Sequence, residues 1–99
     1  MIQRVIFKPL AEAELSEARI WYDEREAGLG DEFVRCVDAC IALAQRHPEA
    51  YPKAHGDIRM AVTRRFPYLI FYIVESDRIV VLSVFHASRD PRIWKRRAR

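Results

Sequence analysis

The chain has 99 residues, of which 51% are hydrophobic and 31% are charged, and its formal net charge is +3. This length accommodates one domain, so we expect residues 1–99 to fold as a single unit. No apolar run reaches the length of a membrane helix, and the first residues lack the pattern of a signal peptide. The sequence therefore predicts a soluble, cytoplasmic protein.

The positive charge is concentrated in the second half of the chain. Residues 1–47 carry six Lys or Arg against nine Asp or Glu, whereas residues 48–99 carry eleven against five. The last eleven residues alone hold six basic side chains and one acidic side chain. An acidic or polyanionic partner for this half and a solvated basic tail are both compatible with this distribution.

The first half of the chain predicts one strand followed by two helices. Residues 2–7 alternate weakly, as in a strand, and Pro9 ends the alternation. Residues 9–26 and 31–47 repeat with helical periodicity and are separated by the segment from Gly28 to Gly30. Two helices of similar length joined by a short glycine turn predict an antiparallel helical hairpin.

The second half predicts an antiparallel sheet. A loop over residues 48–58 is followed by a strand over residues 59–66. Residues 66–74 and 79–86 form a hairpin that turns at Ser76-Asp77, and both of its strands are apolar on both faces. Such strands are typical of central positions in a sheet.

A short helix is predicted after the last strand, because Asp90 suits an N-cap and Pro91 suits the first helical position. The sum is an α+β fold. It has an N-terminal strand, an antiparallel helical hairpin packed on one face of a small, mostly antiparallel sheet, and a short C-terminal helix.

Two groups of apolar side chains are assigned to the core. The cysteines lie four residues apart on the second helix and are expected to be buried apolar side chains, since no second Cys pair or matched His spacing accompanies them. The aromatic members are Trp21, Tyr22, Phe33, Phe66 and Phe71, and the cysteines are Cys36 and Cys40. No metal site is predicted.

A series of short motifs runs through nearly the whole chain. They are Leu15-x-x-Ala18-x-x-Trp21-Tyr22, Gly28-Leu29-Gly30-x-x-Phe33, His47-Pro48, Arg59, Arg65-Phe66-Pro67-Tyr68-x-Ile70-x-Tyr72, and Val81-Leu82-x-Val84-x-His86-x-x-Arg89-x-Pro91-x-x-Trp94. In their order and spacing the chain resembles the RelE/ParE superfamily of bacterial type II toxins, and within it the ParE-like branch.

The resemblance implies a toxin that is held inactive by a cognate antitoxin in a hetero-oligomer. Antitoxins of this class join a DNA-binding part to a segment that wraps the toxin, so the complex is expected to bind operator DNA through the antitoxin. No cofactor is implied. Two toxic mechanisms occur on this fold: RelE-like members cut messenger RNA at the ribosome, and ParE-like members inhibit DNA gyrase.

The segment after the last strand favours gyrase inhibition by binding. Metal-free RNA cleavage needs a group that takes a proton, cations that stabilise the phosphate and a group that returns a proton. RelE-like toxins resemble each other in supplying a C-terminal tyrosine or histidine, and no tyrosine follows the last strand here. Arg89, Arg92 and Trp94 are therefore predicted to contact the target, because arginine and tryptophan often dominate interfaces. For Trp94 the alternative is that it caps the core under the last helix.

The alternative is a ribosome-dependent ribonuclease that uses His86 with Arg59, Arg65 and Arg89. His86 also has a structural interpretation, in which its ring is hydrogen-bonded to a neighbouring turn at the strand end. Arg59 and Arg65 are expected on one strand face, where they would line a groove for an acidic antitoxin segment. A nucleic-acid-binding module that uses the basic tail alone ranks last, since no stacking platform is evident.

Overall fold

Two helices cover one face of a five-stranded sheet in the computed structural model, which describes residues 4–89. In chain order the elements are β1 (Arg4–Phe7), α1 (Pro9–Arg25), α2 (Leu29–Arg46), β2 (Lys53–His55), β3 (Ile58–Val62), β4 (Tyr68–Glu75) and β5 (Arg78–His86). The predicted α+β class and N-terminal strand are confirmed. The short helix predicted at Asp90 lies outside the described residues. Neither helix within residues 4–89 is long and apolar enough to cross a membrane.

The sheet has the order β1-β5-β4-β3-β2, with β1 parallel to β5 and all other pairs antiparallel. The predicted hairpin of β4 and β5 occupies the centre, which explains why its strands are apolar on both faces. The register shifts within this hairpin, because Phe71 lies opposite Ser83 while Tyr72 lies opposite Val81. Leu82 is thus the extra residue of a β-bulge in β5.

Two predictions for the second half of the chain are wrong. The predicted loop over residues 48–58 contains the short strand β2, and β3 ends at Val62 instead of continuing to residue 66. The chain leaves the sheet at Thr63, whose hydroxyl donates to the carbonyl of Phe66 at 2.7 Å and so favours a local turn over further strand pairing. Arg65 in this turn has a φ of 69°, in the left-handed region.

The helical hairpin forms as predicted, but the connection between its two helices is shorter than expected. α2 begins at Leu29, two residues before the predicted start, because Gly28 adopts the left-handed conformation that turns the chain. Asp23 Oδ1 accepts hydrogen bonds from the backbone N–H groups of Gly28 and Gly30, each at 3.1 Å. A Cβ atom at Gly30 would collide with the carbonyl of Arg19, so glycine permits the close approach of the helices.

The core lies mainly between the helices and the sheet, where Phe33 and Tyr72 are fully buried. A smaller cluster on the other face of the sheet holds Phe71 and Phe85. The assignment of Trp21 to the core is wrong, because 49% of this residue is exposed. The next residue along the helix, Tyr22, takes the inward position instead and packs against Phe33 and Phe66.

Candidate functional site

A cleft of about 320 Å³ opens between α1 and the C-terminal end of β5, and we call it the strand-end cleft. Its polar and aromatic walls are Glu14, Glu17, Trp21, Tyr22, Tyr68, His86 and Arg89. These residues come from three parts of the chain: α1, the start of β4, and the end of β5 with the turn after it. Two of the residues singled out in the sequence, His86 and Arg89, therefore share one site.

Glu14 is the carboxylate that joins these parts. Its side chain is only 12% exposed, although it belongs to a helix at the surface. Oε1 accepts hydrogen bonds from the Ser83 hydroxyl at 3.0 Å and from the Val84 backbone N–H at 3.1 Å. Oε2 lies 3.4 Å from Nη1 of Arg89. The carboxylate thus binds the strand just after the bulge and also the turn that follows the strand.

The imidazole of His86 is hydrogen-bonded to the turn after β5. Nδ1 lies 3.1 Å from the backbone nitrogen of Ser88 and 2.7 Å from the Ser88 hydroxyl. Because a backbone N–H can only donate, Nδ1 accepts, and the neutral ring carries its proton on Nε2. The ring also meets Tyr68 edge to face, with the centroids 5.1 Å apart. These are the contacts that the structural interpretation of His86 predicts.

The phenols of Tyr22 and Tyr68 in the cleft keep their protons near pH 7. Burial raises the pKa of Tyr22 above its ordinary value. Burial also raises the pKa of Tyr68, and the neighbouring Tyr22 and Glu14 add to this effect while Arg89 opposes it. Tyr68 and Glu14 are members of the site that were not predicted from the sequence. The hairpin register, which places Tyr68 opposite His86, is the signal that could have identified Tyr68.

The four residues of the predicted ribonuclease set are not brought together. Nη1 of Arg59 donates to the carbonyls of Tyr51 at 2.6 Å and Glu49 at 3.2 Å, and so holds the loop after α2. Arg59 lies opposite Tyr72, which is four residues from Tyr68, or roughly 13 Å along the strand. Arg59 is therefore well separated from the strand-end cleft.

Arg65 lies away from both Arg59 and the strand-end cleft. It belongs to the turn before β4, and its Nη1 forms an ion pair at 3.0 Å with Oε1 of Glu32 on α2. The expectation that Arg59 and Arg65 share one strand face is wrong, because β3 ends at Val62 and Arg65 is in a turn. Only His86 and Arg89 of the set line the same cleft.

A second concave surface, the helix–strand groove, lies between α2 and β3 and also has a volume of about 320 Å³. It is lined by Cys36, Ala39, Cys40, Leu43, Tyr51, Val62 and Arg64. Val62 is 61% exposed, and Leu43 is exposed as well. The paired positions of β2 lie opposite Ile58 and Arg59, so β2 does not extend to the end of β3 where Val62 lies.

The cysteines belong to the wall of this groove. Cys40 is buried, as predicted, and burial raises the pKa of its thiol to about 11, so the thiol is neutral at ordinary pH. Cys36 is half-buried. Within residues 4–89 no group of three or more His, Cys, Asp or Glu side chains is arranged to hold a metal ion.

Two of the three predicted target contacts, Arg92 and Trp94, lie outside the described residues. The third, Arg89, is at the rim of the strand-end cleft, with 43% of its side chain exposed. The guanidinium carbon of Arg89 lies 5.1 Å from the ring centroid of Phe85. The assignment of all three residues to target binding stays a prediction.

Comparisons with known proteins agree with the resemblance found in the sequence. A family model described as the ParE toxin of the type II toxin–antitoxin system, parDE, matches residues 5–91. No curated protein matches the chain significantly. A solved structure described as the chromosomal ParDE TA system from P. aeruginosa superposes with a TM-score of 0.65 at 13% identity, over 88% of this chain and 98% of that chain. At this identity the structural likeness establishes the fold alone.

Proposed function

We propose that this chain, which belongs to the ParE toxin family of type II toxin–antitoxin systems, inhibits DNA gyrase by binding to it. The family match covers residues 5–91 and thus nearly all of the described chain. The resemblance to the ParE-like branch implies gyrase as the target. The observation that carries the proposal is the separation of the ribonuclease set, since it favours a binding mechanism over chemistry.

The cations that a metal-free ribonuclease needs are engaged at separate places. Arg59 binds backbone carbonyls and Arg65 binds Glu32, so neither is directed at the strand-end cleft. The neutral ring of His86 presents a protonated Nε2, because Nδ1 accepts from Ser88. In this tautomer His86 has no free nitrogen with which to take a proton from a 2′-hydroxyl.

The proposal assigns target contact to Arg89 together with Arg92 and Trp94. Arg89 is paired with Glu14, but 43% of its side chain is exposed, so its guanidinium can meet a partner's carboxylate or carbonyl oxygens. Arginine and tryptophan at the centre of an interface often account for much of its binding free energy.

The test is a pair of assays on one toxin preparation: supercoiling by gyrase, and cleavage of a message on programmed ribosomes. We expect inhibited supercoiling and intact message, with weaker inhibition in Arg89→Ala. Arg78→Ala is the matched control, because the Arg78 side chain is 42% exposed and also pairs with a glutamate, at the opposite end of β5. Normal supercoiling at excess toxin would overturn the proposal.

A ribosome-dependent ribonuclease is the second candidate, and one observation favours it. The strand-end cleft brings a phenol, an imidazole, a guanidinium and a carboxylate together in Tyr68, His86, Arg89 and Glu14. If these groups cleave RNA, Tyr68→Phe and His86→Ala should each abolish cleavage while the thermal unfolding temperature stays near that of the wild type. Cleavage of the message by both variants at the wild-type rate would exclude the cleft as a nuclease site.

The proposed partner of the free toxin is a cognate antitoxin, whose acidic, apolar segment occupies the helix–strand groove. The exposed Leu43 and Val62 offer apolar surface, and Arg64 at the groove supplies complementary positive charge. Arg65 follows directly in the chain, and Arg59 fixes the loop that carries Tyr51 in the groove wall. We thus propose that Arg59 and Arg65 support antitoxin binding from beside the groove. Operator DNA would be bound through the antitoxin.

The groove is tested by measuring antitoxin binding to Val62→Glu by fluorescence anisotropy. We expect at least about a tenfold loss of affinity, because the substitution places a carboxylate in the apolar contact and repels an acidic segment. Leu10→Glu is the control, since Leu10 is exposed to a similar degree on α1, outside the groove. Unchanged affinity in Val62→Glu would show that the antitoxin segment docks elsewhere.

A further inference from the structure

The turn after β5 is held in one conformation by several backbone contacts. The Ala87 N–H donates to the carbonyl of Pro67 at 2.8 Å, and the Arg89 N–H donates to the carbonyl of His86 at 3.0 Å. The Ser88 N–H donates to Nδ1 of the His86 ring. These bonds fix the backbone up to Arg89, but they leave the direction of the long Arg89 side chain to be set by other groups.

Within residues 4–89, the backbone of β5 beyond Val81 has no strand partner on its β1 side, because β1 ends at Phe7, opposite Val81. The bulge at Leu82 shifts the alternation of the backbone groups that follow it. Glu14 Oε1 accepts from the Val84 N–H and the Ser83 hydroxyl just beyond the extra residue Leu82. A largely buried N–H that lost this acceptor would carry a substantial desolvation penalty.

The second oxygen of the same carboxylate faces Arg89. Glu14 Oε2 lies 3.4 Å from Arg89 Nη1, and the Arg89 guanidinium also packs on the ring of Phe85. Glu14 is 12% exposed and Arg89 is 43% exposed, so solvent screens this pair less than it screens a pair with two exposed partners. One oxygen is fixed by the strand, and the other is therefore presented to the guanidinium in a defined place.

We propose that Glu14 is a positioning residue: one carboxylate oxygen binds β5 just after its bulge, and the other orients Arg89 for target contact. This inference rests on the proposed function for its effect on gyrase. The orientation of Arg89 itself is a property of the free toxin. Pre-ordering a flexible arginine lowers the entropy that is lost when it binds, and so strengthens the complex.

The test compares Glu14→Gln, Arg89→Gln and the double variant. Glutamine retains an oxygen for the Ser83 and Val84 donors but removes the charge that faces Arg89. We expect Glu14→Gln to weaken gyrase inhibition about fivefold, and the double variant to be no weaker than Arg89→Gln alone, because both changes remove one interaction. Glu75→Gln is the matched control: it removes the charge that faces Arg78 at the opposite end of β5 and should leave inhibition unchanged.

A second readout uses the free toxin without gyrase. Exchange of the guanidinium N–H protons of Arg89 should become faster in Glu14→Gln, which loses the charged partner, and stay at the wild-type rate in Glu75→Gln. A third comparison involves no Glu14 variant: Arg89→Lys keeps the ion pair and should retain more inhibition than Arg89→Gln.

Full inhibition and unchanged exchange in Glu14→Gln would overturn the inference, as would losses that add in the double variant or equal losses in Arg89→Lys and Arg89→Gln. If the wild-type toxin leaves gyrase active, the proposed function fails by itself. The exchange rates of the free toxin then decide whether Glu14 holds Arg89.

Discussion

The strand-end cleft and the helix–strand groove have similar volumes, but their walls are chemically different. In the cleft, the carboxylate of Glu14 is bonded to Ser83, Val84 and Arg89, and the ring of His86 is bonded to its own turn. The groove exposes aliphatic surface at Leu43 and Val62. Folding thus pairs Glu14, Arg89 and His86 with neighbouring groups in the cleft, whereas within residues 4–89 apolar area stays uncovered at the groove.

This difference separates two kinds of functional surface. A surface whose charged groups are already oriented loses little entropy on binding and is suited to recognition of a target. At a surface with exposed apolar area, burial of that area by a partner lowers the free energy of the complex. Substitutions should therefore affect the stability of the toxin itself strongly in the cleft and weakly in the groove.

The largest effect is expected for Glu14→Ala. This change leaves the Val84 N–H without its acceptor and removes the partner of Arg89, so the free energy of unfolding should fall by about 3 kcal/mol. Chemical denaturation measures the change. Glu17→Ala is the control, because Glu17 lies on the exposed rim of the same cleft, and it should change stability by less than about 0.5 kcal/mol. Equal effects would mean that the cleft is not held together through Glu14.

The next effect is a loss of stability at alkaline pH, which arises in the core at Tyr72, whose ring contacts Tyr51. Burial raises the pKa of Tyr72 from 10.0 to about 12, and its hydroxyl donates to the carbonyl of Pro48 at 2.8 Å. Because the folded state binds this proton more tightly than the unfolded state, the contribution is complete below pH 10 and is lost as the pH approaches 12. A shift of this size corresponds to between about 2 and about 3 kcal/mol.

Urea denaturation at pH 8 and pH 11 measures this loss in the free energy of unfolding, and the loss should be smaller in Tyr72→Phe. The buried Cys40 thiol contributes a loss of the same sign from a lower pH, because its pKa is raised from 9.0 to about 11. Tyr68→Phe shows how much comes from the cleft, where burial also raises the pKa of Tyr68. An equal loss in the free energy of unfolding between pH 8 and pH 11 in Tyr72→Phe and the wild type would show that these other groups cause it.

The helices and the central hairpin could be predicted because their signals are local and repeated. Helical periodicity and the glycines at 28 and 30 locate the helical hairpin, and the apolar runs around Ser76 locate β4 and β5. The three residues of β2 are too few to show alternation. The end of β3 depends on the local hydrogen bonds of Thr63, which strand periodicity does not reveal.

The site was predicted only in part, because its contacts join distant parts of the chain. His86 and Arg89 stand out in a short motif, and their shared position in the cleft follows from that closeness. The contact between Glu14 and Ser83 spans 69 positions and uses an ordinary helical glutamate. Arg59 and Arg65 do not share a strand face, because β3 ends at Val62 and Arg65 lies in the turn that follows it.

A smaller effect is expected in the turn that follows β3. Arg65 has a φ of 69° and forms a largely exposed ion pair with Glu32. Loss of the pair in Arg65→Ala should lower the free energy of unfolding by about 0.5 kcal/mol. Arg65→Gly loses the same pair but relieves the left-handed backbone, so it should be about 1 kcal/mol more stable than Arg65→Ala. If alanine is the more stable of the two, the turn does not constrain the backbone at this position.

The smallest effect is expected where the groove is most apolar. Leu43 and Val62 are both exposed, so Leu43→Ala and Val62→Thr should each change the free energy of unfolding of the free toxin by less than about 0.5 kcal/mol. If the proposed antitoxin segment occupies the groove, the same substitutions should weaken its binding, because they remove apolar area that the segment would bury. Thermal unfolding with and without antitoxin measures both quantities. A large loss of stability in the free toxin would show that this surface is part of the toxin's own core, and the contrast between the two sites would then fail at the groove.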